Sequence, residues 1–101
     1  MPHVRSTGAV QAQSVLAKDL GAVVRRQREN HGWSQEALAE RANLNRSYIG
    51  ELERGEAIAS IVTLEKLAHA FGLSASHLVE QAERLAHSQV VTGIELTSIA
   101  C

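Results

Sequence analysis

The sequence predicts an all-α fold of five helices around one shared core, and three observations carry that prediction. Apolar residues recur at intervals of three and four through most of the 101-residue chain, the period of a helix face rather than of a strand. Side chains suited to open a helix, those of Ser34, Asn45, Ser60 and Ser74, each precede one of these periodic runs. Gly32, Gly55 and Gly72 stand where runs end, as helix stops require. A chain of this length fits a single domain with a modest core. Trp33, Tyr48 and Phe71 are its only large aromatics, so that core must be mostly Leu, Val, Ile and Ala.

In chain order, residues 1–13 mix Pro2, Ser6, Thr7 and Gly8 without apolar periodicity and read as a flexible N-terminal arm. A first helix is expected from about Ser14 to His31, with Leu16, Leu20, Val23, Val24 and Gln27 forming a buried stripe. Ser34 opens a second helix in which Leu38, Ala39 and Ala42 face inward. Asn43-Leu44 is the turn: Asn tolerates positive φ, and Leu44 is an apolar plug between helices. Asn45, eleven residues after Ser34, opens a third helix with Tyr48, Ile49 and Leu52 at helical spacing and Gly55 at its end. Two short helices joined this way make a helix-turn-helix, whose second helix can enter the major groove of DNA. Beyond the loop from Glu56 to Ser60, a fourth helix turns Leu64, Leu67, Ala68 and Phe71 inward, and Ser74 opens a fifth with Leu78, Val79, Ala82 and Leu85 on one face. Residues 14–87 thus form the folded domain. Residues 88–101 are apolar and rich in β-branched side chains, with partial alternation at Ile94 and Leu96. Two readings stand for this tail: an extended segment associated with a dimer, or a frayed end.

The formal net charge is −1, so bulk charge does not announce a polyanionic partner. Its distribution says more. Lys18, Arg25, Arg26, Arg28, Arg41, Arg46 and Arg54 crowd the first half, against Lys66 and Arg84 after the loop. Cys101 is the only cysteine, which forbids an intrachain disulfide and fits a reducing, cytoplasmic setting. No long apolar run suggests export or a membrane span. His3, His31, His69, His77 and His87 are scattered, and no metal cluster, phosphate loop or nucleophile–base pair is present. No enzyme and no cofactor are expected.

A set of spaced residues then narrows the reading. Leu20-Gly21, Val24-Arg25 and Arg28 are followed by Ser34-Gln35-Glu36 and Leu38-Ala39. Arg46-Ser47-Tyr48-Ile49 and Leu52-Glu53-Arg54-Gly55 come next, then Ser60, Thr63-Leu64 and Leu67-Ala68. From about Leu20 to Val79 the chain resembles the phage-repressor and Cro-like helix-turn-helix regulators, the XRE family. The small controller proteins of restriction–modification loci have a similar Arg-Ser-Tyr-Ile run. The resemblance implies a lambda-repressor-like domain that binds double-stranded DNA and regulates transcription in a prokaryotic cytoplasm, on the nucleoid. It implies that Arg28 pairs with Glu53, and that Gln35 and Arg54 hold the DNA backbone. The chain departs from the family in its loop, where Ala57, Ile58 and Ala59 replace the frequent Asn or Pro. Fewer polar groups are therefore expected to face a DNA backbone from this loop.

Affinity for a duplex comes largely from phosphates and sequence from base edges. A helix N-terminus offers free N–H groups to phosphate, which suits Ser34 and Gln35, and Asn45 opens the next helix in the same manner. Arg46, Ser47, Gly50 and Glu51 are expected to face outward. Arg46 can donate a fork to guanine O6 and N7, and Glu51 can accept from cytosine N4 or orient Arg46. Ser47 can donate or accept. Tyr48 either touches a phosphate or thymine methyl, or packs at the core edge. The DNA-binding set is therefore Ser34, Gln35, Asn45, Arg46, Ser47, Tyr48, Glu51 and Arg54. A single module buries little surface, so a homodimer on an inverted-repeat operator is expected, with half-sites about 34 Å apart. The fifth helix, Ile58, Ile61 and the tail are candidate contacts. An alternative is an antitoxin that binds DNA and also masks a small protein partner.

Overall fold

In the computed structural model residues 2–86 are described, and for residues 2–15 the backbone alone. Helix α1 spans Pro2–Asn30, α2 Gln35–Ala42, α3 Arg46–Glu53 and α4 Ile61–Phe71. A fifth helix, α5, runs from 75 to the last described residue, 86. The described chain is thus helical throughout, with short turns between helices.

Helix α1 begins twelve residues before the expected start at Ser14, in the segment read as an arm. Periodicity reports burial, not helicity, and a helix without an apolar stripe escapes it. Pro2 takes the first helical position, where a missing N–H costs nothing, and no second proline follows anywhere in the chain. Further along, Leu20, Val23 and Val24 are buried as the stripe requires, whereas Leu16 is 42 % exposed. Leu16 lies beside an apolar groove and not within the core. The tail from 88 to 101 lies outside the described residues.

The core joins Leu20, Val23 and Val24 of α1 to Leu38, Ala39 and Ala42 of α2 and to Ile49 and Leu52 of α3. Leu64, Leu67, Ala68 and Phe71 of α4 and Leu78 and Ala82 of α5 complete it. Each of these stripes comes from one face of its helix, which is why five helices can share a centre too small for any of them alone. Ser60 Oγ accepts from the Thr63 N–H at 3.1 Å and Ser74 Oγ from the His77 N–H at 3.1 Å, so α4 and α5 start where their caps predict.

Candidate nucleic-acid interface

The helix-turn-helix is built from its caps outward. Ser34 Oγ accepts from the Ala37 N–H at 3.0 Å, fixing the first turn of α2. Asn43 ends α2 in the left-handed region at φ 56°, and its N–H and that of Leu44 return to α2 carbonyls. Asn45 Oδ1 then accepts from the N–H groups of Ser47 at 2.8 Å and Tyr48 at 3.4 Å. The oxygens of Ser34 and Asn45 are therefore engaged in holding their own helices, and what these positions offer a phosphate is a rigid helix start.

Arg28 and Glu53 form the joint between α1 and α3. Arg28 Nε donates to Glu53 Oε2 at 2.7 Å and Nη2 to Oε1 at 3.1 Å, a two-pronged pair. The remaining nitrogen, Nη1, donates to the carbonyl of Trp33 at 2.8 Å, and Gln35 Nε2 donates to Glu53 Oε1 at 3.0 Å. One carboxylate therefore gathers α1, the start of α2 and the end of α3. With side-chain exposures of 13 % and 4 %, the pair is largely removed from water. Hydrogen bonding to Glu53 raises the Arg28 pKa above its ordinary value, and burial opposes that rise. A raised folded-state pKa stabilises below the unfolded value, so Arg28 remains a cation throughout the ordinary pH range.

Against this joint the outer face of α3 is presented. Arg46, Ser47 and Glu51 are exposed, on the side of α3 opposite buried Ile49 and Leu52. Gly50, expected to face outward, is buried. A Cβ there would stand 3.2 Å from Arg54 Nη1 and 3.7 Å from Gln35 Oε1, because those two side chains close over the backbone. Tyr48 is half-buried and its hydroxyl donates to the carbonyl of Ile58 at 3.0 Å. The phenol's proton is thus given to the α3–α4 loop. Arg54 reaches Glu56 at 3.1 Å, both side chains 58 % exposed.

Two features were not readable from side-chain patterns. The Trp33 ring is stacked with Phe71 at 6.0 Å between centroids, and the Arg41 guanidinium lies 4.4 Å over its face. Trp33 thus anchors the start of α2 to α4, but its carbonyl, the group Arg28 holds, leaves no trace in sequence. Likewise Gly21 stands against the Leu52 carbonyl, a contact that only the packing of α1 on α3 reveals. Among the described residues, no group of three or more His, Cys, Asp or Glu could hold a metal ion, and no helix is long and apolar enough to cross a membrane.

Comparison with known proteins agrees with this geometry. The family model described as helix-turn-helix, HTH_3, matches residues 24–78. The chain is 39 % identical over 67 residues to the competence pilus inhibition repressor of Acinetobacter baylyi, covering 66 % of this chain and 61 % of that protein. It is 38 % identical over 60 residues to the immunity repressor protein of Bacillus phage phi105, covering 59 % of this chain and 42 % of that one. The chain thus spans about half the length of the curated relatives it matches. Among solved structures, the clp gene regulator ClgR of Corynebacterium glutamicum superposes with a TM-score of 0.72 at 30 % identity, over 83 % of this chain and 88 % of that one. The restriction–modification controller protein C.AhdI of Aeromonas hydrophila gives 0.59 at 39 % identity, over 61 % and 94 %. Capped helices, a left-handed turn and an exposed polar row on α3 accompany these likenesses, and the chain belongs to the HTH_3 helix-turn-helix family of transcriptional regulators.

Proposed function

We propose that the protein is a sequence-specific duplex-DNA-binding regulator that acts as a homodimer on an inverted-repeat operator, in the cytoplasm and on the nucleoid. The observation that carries this reading is the exposed row Arg46, Ser47 and Glu51, held on a short helix that the Arg28–Glu53–Gln35 joint fastens at its far end. Such a row needs a rigid mount, because base-edge hydrogen bonds discriminate only when their donors are pre-positioned.

In this reading Arg46 donates its fork to a guanine, Glu51 accepts from a cytosine or steadies Arg46, and Ser47 bonds a neighbouring base or phosphate. The starts of α2 and α3, at Ser34 and Asn45, turn N–H groups toward the backbone. An amide carries two N–H donors, so Gln35 can hold Glu53 with one and a phosphate with the other. Arg54 exchanges an exposed carboxylate for a phosphate at little cost, since such surface pairs contribute about 0–1 kcal/mol. Tyr48 serves the interface by bracing the loop, not by reading a base.

Selection of bound duplexes from a random pool at fixed salt tests the proposal. An enriched palindrome with half-sites about one helical turn apart is the expected result. Recovery of sequences no different from the input pool would refute specific readout.

A further inference from the structure

Gly21 and Gly50 both sit inside helices, and their neighbours differ in kind. A Cβ on Gly21 would meet backbone carbonyls of α3, which cannot swing aside. A Cβ on Gly50 would meet side-chain ends instead. Outside the local helix backbone its three nearest heavy atoms are Arg54 Nη1 at 3.2 Å and Gln35 Oε1 and Nε2 at 3.7 and 3.9 Å. The backbone does not ask for glycine at this place: residue 50 lies within α3 and is not one of the left-handed positions, which are Gly32, Asn43, Gly55 and Gly72. Glycine is also among the poorest helix formers, and α3 has only eight residues. The space above Gly50 serves the two side chains that fill it.

We propose that Gly50 is a positioning residue for the DNA backbone. Its missing side chain is the hollow in which the Arg54 guanidinium and the Gln35 amide lie together, and the two take one phosphate diester between them. The inference rests on the reading of the protein as a duplex-DNA binder and deepens it, since it makes one seat of two contacts that sequence treats separately. A cation from the end of α3 and an amide from the start of α2 converge on the same point. A phosphate held by both is therefore placed relative to two helices at once.

The two side chains are held by different carboxylates and with different firmness. Gln35 Nε2 donates to Glu53 Oε1 at 3.0 Å, and that carboxylate is 4 % exposed and already gripped by Arg28. Arg54 Nε pairs with Glu56 at 3.1 Å on an open surface. The amide has a second N–H to give, and the guanidinium carries further donors on Nη1 and Nη2. A methyl group at residue 50 cannot displace Gln35, which the buried joint fixes. Arg54 must give way by a few tenths of an ångström, and the seat loses its cation's place.

Titration of a random-sequence duplex with the full chain, at fixed salt, is the test. Gly50→Ala should weaken binding about three- to tenfold, the span of one ordinary hydrogen bond. The selected operator should lose by the same factor, because a phosphate seat is blind to sequence. In an Arg54→Ala background the same substitution should cost less than about twofold, since no guanidinium is left to displace. The melting midpoint of Gly50→Ala should hold or rise, because Ala favours the helix and the displaced group is a flexible side-chain end. Unchanged duplex affinity would overturn the proposal. So would a loss that persists without Arg54, which would mean that the glycine makes room for DNA itself, or a falling midpoint, which would mean that a rigid contact is broken. A measurement without DNA keeps the seat apart from the reading it rests on. In NMR spectra of the free protein the Arg54 Nε–H signal should shift in Gly50→Ala, and an unshifted signal would overturn the seat whatever the duplex data. A shifted signal beside a wild-type chain that binds no duplex would instead count against the DNA-binding reading.

Discussion

Gly21 of α1 faces the Leu52 carbonyl of α3 so closely that a Cβ on residue 21 would overlap that oxygen. The same Cβ would lie 3.0 Å from the carbonyl oxygen of Glu53. Both neighbours are backbone, and neither can swing aside as a flexible side chain would. The close approach is what lets Arg28, two turns further along α1, reach Glu53 at the end of α3.

Gly21→Ala should therefore destabilise the fold by about 1–3 kcal/mol, the usual cost of forcing an atom into a packed contact. The helix propensity of Ala works the other way and offsets up to about 1 kcal/mol of it. A thermal melt followed by circular dichroism should show the midpoint falling by several degrees. An unchanged or higher midpoint would mean that α1 and α3 do not meet at residue 21.

The Arg28–Glu53 joint predicts an asymmetric mutant cycle. Arg28→Met leaves a carboxylate that is 4 % exposed without its cation, a loss of about 3–5 kcal/mol for buried pairs. Gln35 still donates to Glu53 and moderates the loss toward the lower end. Arg28→Met with Glu53→Leu should recover much of it, since no charge is then stranded. Urea unfolding of the two single variants and the double variant measures this, and additive losses would contradict the pairing.

How much of this was legible in sequence varies with the kind of information each residue carries. Ser34, Asn45, Asn43 and Gly55 act on backbone within a few residues of themselves, so local chemistry suffices to place them, and their caps and left-handed turns fall where the sequence puts them. Ile49, Leu52, Leu38 and Leu64 follow from period alone. Gly50 was misread because its burial is caused by Gln35, fifteen positions earlier, and by Arg54, whose folding over it no helical wheel displays. The early start of α1 was missed for the converse reason: a helix without an apolar stripe has no period to detect. Tyr48 carries two readings because an amphipathic ring suits both, and the position of the Ile58 carbonyl, which its hydroxyl meets, leaves no trace in sequence.

Readout and positioning should separate in solution. Arg46→Ala is expected to lose about 1–3 kcal/mol on the selected operator and to relax preference at one base pair, with little effect on random DNA. Arg54→Ala should weaken both alike and reduce the slope of log affinity against log salt by about one phosphate's worth. Fluorescence anisotropy titrations over a salt series distinguish them. Equal losses on specific and random duplexes for Arg46→Ala would remove it from base readout.

The pairing of Arg54 with Glu56 makes a further expectation. The two side chains meet at 3.1 Å on an exposed surface next to the proposed phosphate path, so Glu56 both occupies the arginine and adds a negative charge where DNA approaches. Glu56→Gln removes both effects while preserving shape and hydrogen-bonding capacity. Affinity should rise a few-fold at low salt, on operator and random duplex alike, because the gain is electrostatic and blind to sequence. The gain should shrink as salt approaches the range where the Debye length falls below about 10 Å. Stability should change little, because an exposed pair of this kind contributes about 0–1 kcal/mol. In an Arg54→Ala background the benefit should fall to the small part that comes from removing the negative charge alone. A double-mutant cycle on binding isolates the coupling. If Glu56→Gln helps as much without Arg54 as with it, then Glu56 repels DNA directly and does not restrain the arginine.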